Sequence, residues 1–213
     1  MFAPFDSIRI INLPERRDRR QEISNELYAI GLGEDPRVSF FTAVRPTEAG
    51  PFSSVGARGC YESHLAILRE AAAANRSVLI LEDDCDFTPE ATNFEFGSEW
   101  DVFYGGYHAR NPEDLLQSDI AGSHMMGFSS KGANQICAYL DTLQFEGIHP
   151  PIDAAYIWFR RAHPDVPTLF AMPPLGIQRP SRSDIADLRF FDRLKLLRPV
   201  LHFARQIKRR VLR

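Results

Sequence analysis

Long apolar runs are missing from this sequence. No stretch approaches the roughly 20 residues that span a bilayer, and the opening MFAPFDSIRIINLPERRDRR has no basic segment followed by an apolar one, so neither a spanning helix nor an export signal is read. Cysteine is scarce: Cys60, Cys85 and Cys137 are three, with no C-x-x-C pair. That argues against a disulfide framework or a zinc knuckle, and a reducing cytoplasm is the expected compartment. There is no G-x-x-x-x-G-K-[ST], and no G-x-G-x-x-G follows a strand-like run, which leaves P-loop and ordinary dinucleotide-binding readings without support. No G-x-S-x-G elbow surrounds Ser63 or Ser129, so a Ser/His/Asp hydrolase is not expected. His64, in GCYESHL, has no second His four residues away; a zinc-binding helix is a poor reading and a hydrogen-bonded structural His the default.

What is present is ordinary for a folded protein. The hydrophobic share is 44% and the charged share 25%, near the values of soluble domains. The length of 213 residues suits one core, since domains commonly run to about 100 to 200 residues. The net charge of −3 hides a division. Residues 193–213 carry eight Lys/Arg and no Asp/Glu, which leaves −11 for residues 1–192. An acidic body argues against a nucleic-acid groove, and the basic tail is a candidate contact for an anionic membrane face. Within the tail, Pro199 suits a first helical turn, and Val200, Leu201, Ala204, Ile207 and Val211 recur at helical spacing opposite Arg205, Lys208, Arg209 and Arg213, the pattern of an interfacial helix or of a helix packed on the domain with its arginines solvated. The expected organisation is therefore one folded domain over 1–192 and an amphipathic tail over 193–213.

Periodicity predicts strands and helices in alternation. Ser7–Leu13, Val38–Val44, Val78–Leu81, Trp100–Tyr104, His124–Phe128 and Thr168–Met172 read as strands. Glu15–Ile30, Cys60–Ala74, Lys131–Leu143 and a segment opening at Asp153 read as helices. Such alternation implies a mostly parallel sheet with helices on both faces.

The strongest chemical signal is LILEDDCDF, where Glu82, Asp83 and Asp84 follow a buried strand. Carboxylates crowded at a sheet's end repel one another unless solvated or neutralised, and the carboxyl end of the strands is where open α/β sheets bind ligands. A hard Mg²⁺ or Mn²⁺ would neutralise them; a helix cap or a solvated face is an equally weighted reading. Arg16, Arg17, Arg19 and Arg20 in NLPERRDRR could pair with a phosphate, while on charge alone they read better as solvated first turns of a helix. Asp153, after Pro150 and Pro151, is either a carboxylate facing a reaction centre or an ordinary N-cap.

Five blocks in order resemble glycosyltransferase family 25, the lipopolysaccharide and lipooligosaccharide galactosyltransferase family that also includes collagen galactosyltransferase domains. IINLPERRDRR resembles its I-N-L with R-x-x-R-R, GARGCYESHL its G-x-x-G-C-x-x-S-H, and LILEDDCDF its hydrophobic-E-D-D. HPPIDAAY and SRSDI resemble its later P-x-D and S-D-I elements. Met126 and Gly127 depart from the family, which more often has an aromatic and an aliphatic residue there. The resemblance implies a GT-A type nucleotide-diphospho-sugar transferase fold and metal-assisted, inverting transfer of a hexose, often galactose, from a UDP-sugar to a glycan or lipid-linked glycan acceptor. It puts Asn12, Leu13, Arg16 and Arg19 near the nucleotide and Glu82 and Asp83 at the diphosphate. The same resemblance implies Asp84, with Asp83, as the metal ligand, Asp153 as the base, and Gln178, Ser183 and Asp184 as residues closing over the donor, with a helix cap as the alternative for Ser183 or Asp184. The rivals are a catalytically silent sugar-nucleotide or partner-binding module of the same fold, and a phosphate-ester hydrolase using the same acids.

Overall fold

Val78, Leu79, Ile80 and Leu81 are apolar without alternation, the mark of a strand covered on both faces, and all four are buried at 1% exposure or less. A computed structural model of the protein describes residues 2–97 and 99–180. The domain boundary at 192, Ser183, Asp184, Pro199 and the basic tail lie outside the described residues.

The chain runs β1 (Ser7–Asn12), α1 (Arg17–Ala29), β2 (Val38–Thr42), α2 (Val55–Ala74), β3 (Val78–Glu82) and β4 (Cys85–Phe87). After a 3-10 turn at Pro89–Thr92 come β5 (Val102–Ala109), β6 (Ile120–Phe128), α3 (Ser130–Asp141), α4 (Ile152–Ala162), β7 (Thr168–Phe170) and β8 (Gly176–Gln178). Six strands form one sheet in the order β2-β1-β3-β6-β5-β7, and β4 pairs with β8 in a small second sheet. β1 lies parallel to β2 and β3, and β5 parallel to β7, whereas β6 runs antiparallel to both its neighbours. The expected mostly parallel sheet is thus present, with one strand reversed.

Helices cover both faces. Ile23 and Leu27 of α1 pack with Ile8, Ile10, Leu79 and Leu81 on one side. On the other, Leu65 and Leu68 of α2, Ile136 and Leu140 of α3, and Tyr156 and Phe159 of α4 pack with Val78, Ile80, Met126 and Phe128. Burying each such large side chain contributes about 1.5 to 3 kcal/mol. Among the described residues no helix is long and apolar enough to cross a membrane.

Five elements, α2, β4, β5, β6 and β8, differ most from the sequence expectation. α2 starts at Val55 rather than Cys60, because the Ser54 hydroxyl caps it by accepting from the Ala57 N–H. Its Gly59 has a packing purpose: a Cβ there would lie 2.6 Å from the Val44 carbonyl oxygen. β5 extends to Ala109 and β6 begins at Ile120, longer than read, since irregularities at Gly106 break the two-residue alternation that marks a strand. β4 and β8, three residues each, are too short to leave a periodic signal. The departure at Met126 and Gly127 is a matter of core packing. Met126 is fully buried, and a Cβ on Gly127 would meet the Phe5 ring at 2.5 Å.

Candidate active site

β1 and β3 are parallel neighbours whose register pairs Ile11 with Glu82, so Asn12 and the acidic triplet leave the sheet at the same edge. Asn12 is 3% exposed and points back into the protein. Its side-chain amide donates to Asp83 Oδ2 at 2.7 Å and to the Arg16 carbonyl at 3.3 Å. The Leu13 carbonyl accepts from the Arg16 N–H at 2.8 Å, closing the turn that launches α1. Arg19, on the first turn of α1 and largely buried, donates to Asp83 Oδ1 at 2.9 Å and lies 3.5 Å from Asp84 Oδ2. The NLPERRDRR and LILEDD blocks therefore form one buried constellation. Arg16 stands at its rim with its guanidinium on Asp18 at 2.9 and 3.0 Å, an ion pair that pulls the Asp18 carboxyl down to about 2.

Asp84 is in a different state from Asp83. Asp83 has both carboxylate oxygens engaged by Asn12 and Arg19, whereas Asp84 Oδ1 is buried with no hydrogen-bond partner. Burial and the nearby Glu82 charge push the Asp84 carboxyl up to about 7, against the pull of Arg19 and Gln178. A partnerless carboxylate oxygen next to a second acid fits a hard divalent cation, which would satisfy the oxygen and offset the repulsion.

Gln178 reaches Asp84 because β8 pairs with β4, with Cys85 opposite Gln178 and the Arg179 N–H on the Asp84 carbonyl at 2.7 Å. Arg179 pins this small sheet to α1 through Asp86 at 2.9 Å and Glu22 at 2.6 Å.

Glu82, third of the acids, turns toward α2, β6 and α4. Its Oε1 accepts from Ser123 Oγ at 2.7 Å and lies 3.6 Å from His64 Nε2 and 3.9 Å from Cys60 Sγ. Burial raises this carboxyl, but His64 and Ser123 outweigh it and hold it down to about 2. Asp153 sits in the first turn of α4, whose N-cap is Pro151 and offers no side-chain cap. Its Oδ2 accepts from the Gly122 N–H of β6 at 3.1 Å and its Oδ1 from the Ala154 N–H at 2.9 Å. Asp153, Glu82 and Asp84 all act on the Cys60 thiol, which burial and these charges push well above its ordinary value. Residues from five separate parts of the sequence thus surround one acidic edge of the sheet. Sequence reasoning missed Ser123 and Cys60 and treated His64 as structural. The signal available was the four-residue spacing from Cys60 to His64, which puts both side chains on one face of a helix.

No protein-family model and no curated protein sequence matches the chain. Solved structures are similar at low identity. One is a putative glucose-1-phosphate thymidylyltransferase from Bacillus anthracis in complex with a sucrose (TM-score 0.42, 14% identity, covering 78% of this chain and 67% of that one). Another is a glycosyltransferase involved in the glycosylation of the major capsid of PBCV-1 (TM-score 0.48, 9% identity, covering 83% and 95%). Similarity at this level carries no residue correspondence, and the site stands on its own geometry.

Proposed function

We propose that the protein is a GT-A type glycosyltransferase of the family 25 kind. It would transfer a hexose, galactose before others, from a UDP-sugar to a hydroxyl of a lipopolysaccharide or related surface glycan, with inversion. The observation that carries the reading is the partnerless, buried Asp84 Oδ1 beside the Arg19-held Asp83 at the carboxyl edge of a mostly parallel sheet, where such folds take their ligands.

Asp84, with Asp83 next to it, would hold Mn²⁺ or Mg²⁺. That ion would neutralise charge on the departing nucleoside diphosphate. Asn12 and Arg19 keep Asp83 from swinging, so the acidic edge is preorganised and little reorganisation accompanies donor binding. Arg16 at the rim can exchange Asp18 for a phosphate oxygen, since guanidinium pairs with both. Gln178 faces Asp84 from β8, and Ser183 and Asp184, later in the sequence, would close over the donor. Asp153 would take the proton of the acceptor hydroxyl; the Gly122 and Ala154 N–H groups fix the carboxylate while each oxygen keeps a second lone pair. The tail, residues 193–213, would hold the enzyme on an anionic membrane face where a lipid-linked acceptor resides.

Purified protein incubated with a panel of nucleotide sugars, with and without Mn²⁺ and acceptor glycan, tests the reading through nucleotide release. Metal-dependent release from a UDP-hexose that rises with acceptor supports transfer. Binding without turnover would point to a silent module, and free sugar without acceptor to a hydrolase.

A further inference from the structure

Cys60 and His64 are four residues apart on α2, so their side chains leave the same helix face. That face meets Glu82, the last residue of β3. His64 Nε2 is 3.6 Å and Cys60 Sγ 3.9 Å from Glu82 Oε1, and the three donor atoms all lie within 4.8 Å of one another. His64 is 0% exposed, and its Nε2 has no hydrogen-bond partner. A buried imidazole nitrogen without a hydrogen bond is costly to leave so, and this atom points to a ligand independently of the cluster's spacing.

We propose that Cys60, His64 and Glu82 bind one divalent ion of the zinc class, at a site separate from the Asp83–Asp84 pair. Sulfur, imidazole nitrogen and a carboxylate oxygen form a borderline-soft donor set that selects Zn²⁺ over Mg²⁺ or Mn²⁺. The Asp83–Asp84 pair offers oxygen alone and has the opposite preference. The size is right. Zinc bonds of about 2.0 to 2.3 Å in tetrahedral arrangement hold donors about 3.5 Å apart, close to the spacings about Glu82. The surroundings have the form that orients such ligands. Tyr156 Oη lies 2.9 Å from His64 Nδ1, turning Nε2 toward the cluster, and Ser123 Oγ steadies the carboxylate. Charge balances as well: binding releases the Cys60 thiol proton to solvent, and the dication offsets the thiolate and Glu82 while Asp84 and Asp153 stand nearby. Cys60 and Glu82 are only partly buried, which leaves an entry path. The ion would tie the start of α2 to the end of β3. None of this requires the glycosyltransferase reading.

The test uses the full chain, stripped with a chelator under reducing conditions and titrated with Co²⁺, then Zn²⁺. A thiolate-to-cobalt charge-transfer band that saturates at one cobalt per chain and that Zn²⁺ bleaches is the expected result, together with a rise in Tm on adding Zn²⁺. Cys60→Ser should abolish the band and His64→Gln should weaken Zn²⁺ binding at least about tenfold. Asp84→Asn should keep the band, so that failure of the donor-metal assignment and failure of this one are separable. Absence of the band from folded wild-type protein, or its persistence in Cys60→Ser, overturns the proposal. Should His64→Gln not fold, alkylation of Cys60 in the wild-type chain decides. Zn²⁺ is expected to slow it at least about tenfold, and an unchanged rate overturns the site.

Discussion

Asp84→Asn separates the cost of the acidic edge from its use. The Asp84 carboxyl stands at about 7 in the fold against an ordinary 3.8. Because the folded-state value is raised, the stability tied to its neutral form is fully present below the ordinary value. It is lost as pH climbs through about 4 to about 7. At about 1.4 kcal/mol per tenfold change in proton affinity, the loss approaches about 4 kcal/mol above that window. Asparagine preserves the shape and removes the charge, while its own unmet amide hydrogen bonds return about 1 to 2 kcal/mol of the gain. Without metal, the variant should therefore be more stable than wild type by about 2 kcal/mol at pH 8 and close to equal at pH 5. Urea unfolding in a chelator, followed by far-UV circular dichroism, measures both values. Saturating Mn²⁺ should stabilise wild type and leave the variant unmoved, because only a native state that binds the ion gains from it. Nucleotide release should fall by orders of magnitude. A variant no more stable than wild type at pH 8, or stabilised equally at both pH values, would refute the account of Asp84.

Asp153→Asn should bind a UDP-sugar with near wild-type affinity in calorimetry yet release nucleotide about 100-fold more slowly; loss of donor affinity together with thermal stability would assign Asp153 to helix capping instead. Gly132→Ala should cost about 3 kcal/mol or more in unfolding free energy, because the new Cβ would lie 1.9 Å from the Asp101 carbonyl oxygen at the start of α3. A neutral result would mean that α3 does not hold this close approach. A chain ending at Asp192 should keep its fold but lose cosedimentation with anionic vesicles, and high salt should release the intact protein. An intact chain that stays in the supernatant at low salt would rule out the membrane role.

Several features were legible in the sequence because they are local. The unalternated apolar run at Val78–Leu81 announces a strand covered on both sides, and the three acids after it announce a charged sheet end. Helical spacing from Ile23 to Leu27 marks α1, and the proline pair before Asp153 marks the start of α4. The sequence by itself thus determined the order of most strands and helices, the α/β class and the acidic edge, since side-chain periodicity and turn residues act within a few positions. Tertiary structure decided what no local pattern encodes. The reversal of β6 and the pairing of β4 with β8 depend on partners that lie far away in the chain. The contrast between Asp83, held by Asn12 and Arg19, and Asp84, left with a partnerless oxygen, arises only where β1, α1 and β3 meet. Likewise, Cys60 and His64 share a helix face by spacing, but only packing of α2 against the end of β3 brings them to Glu82, because donor distances are set by contacts between elements.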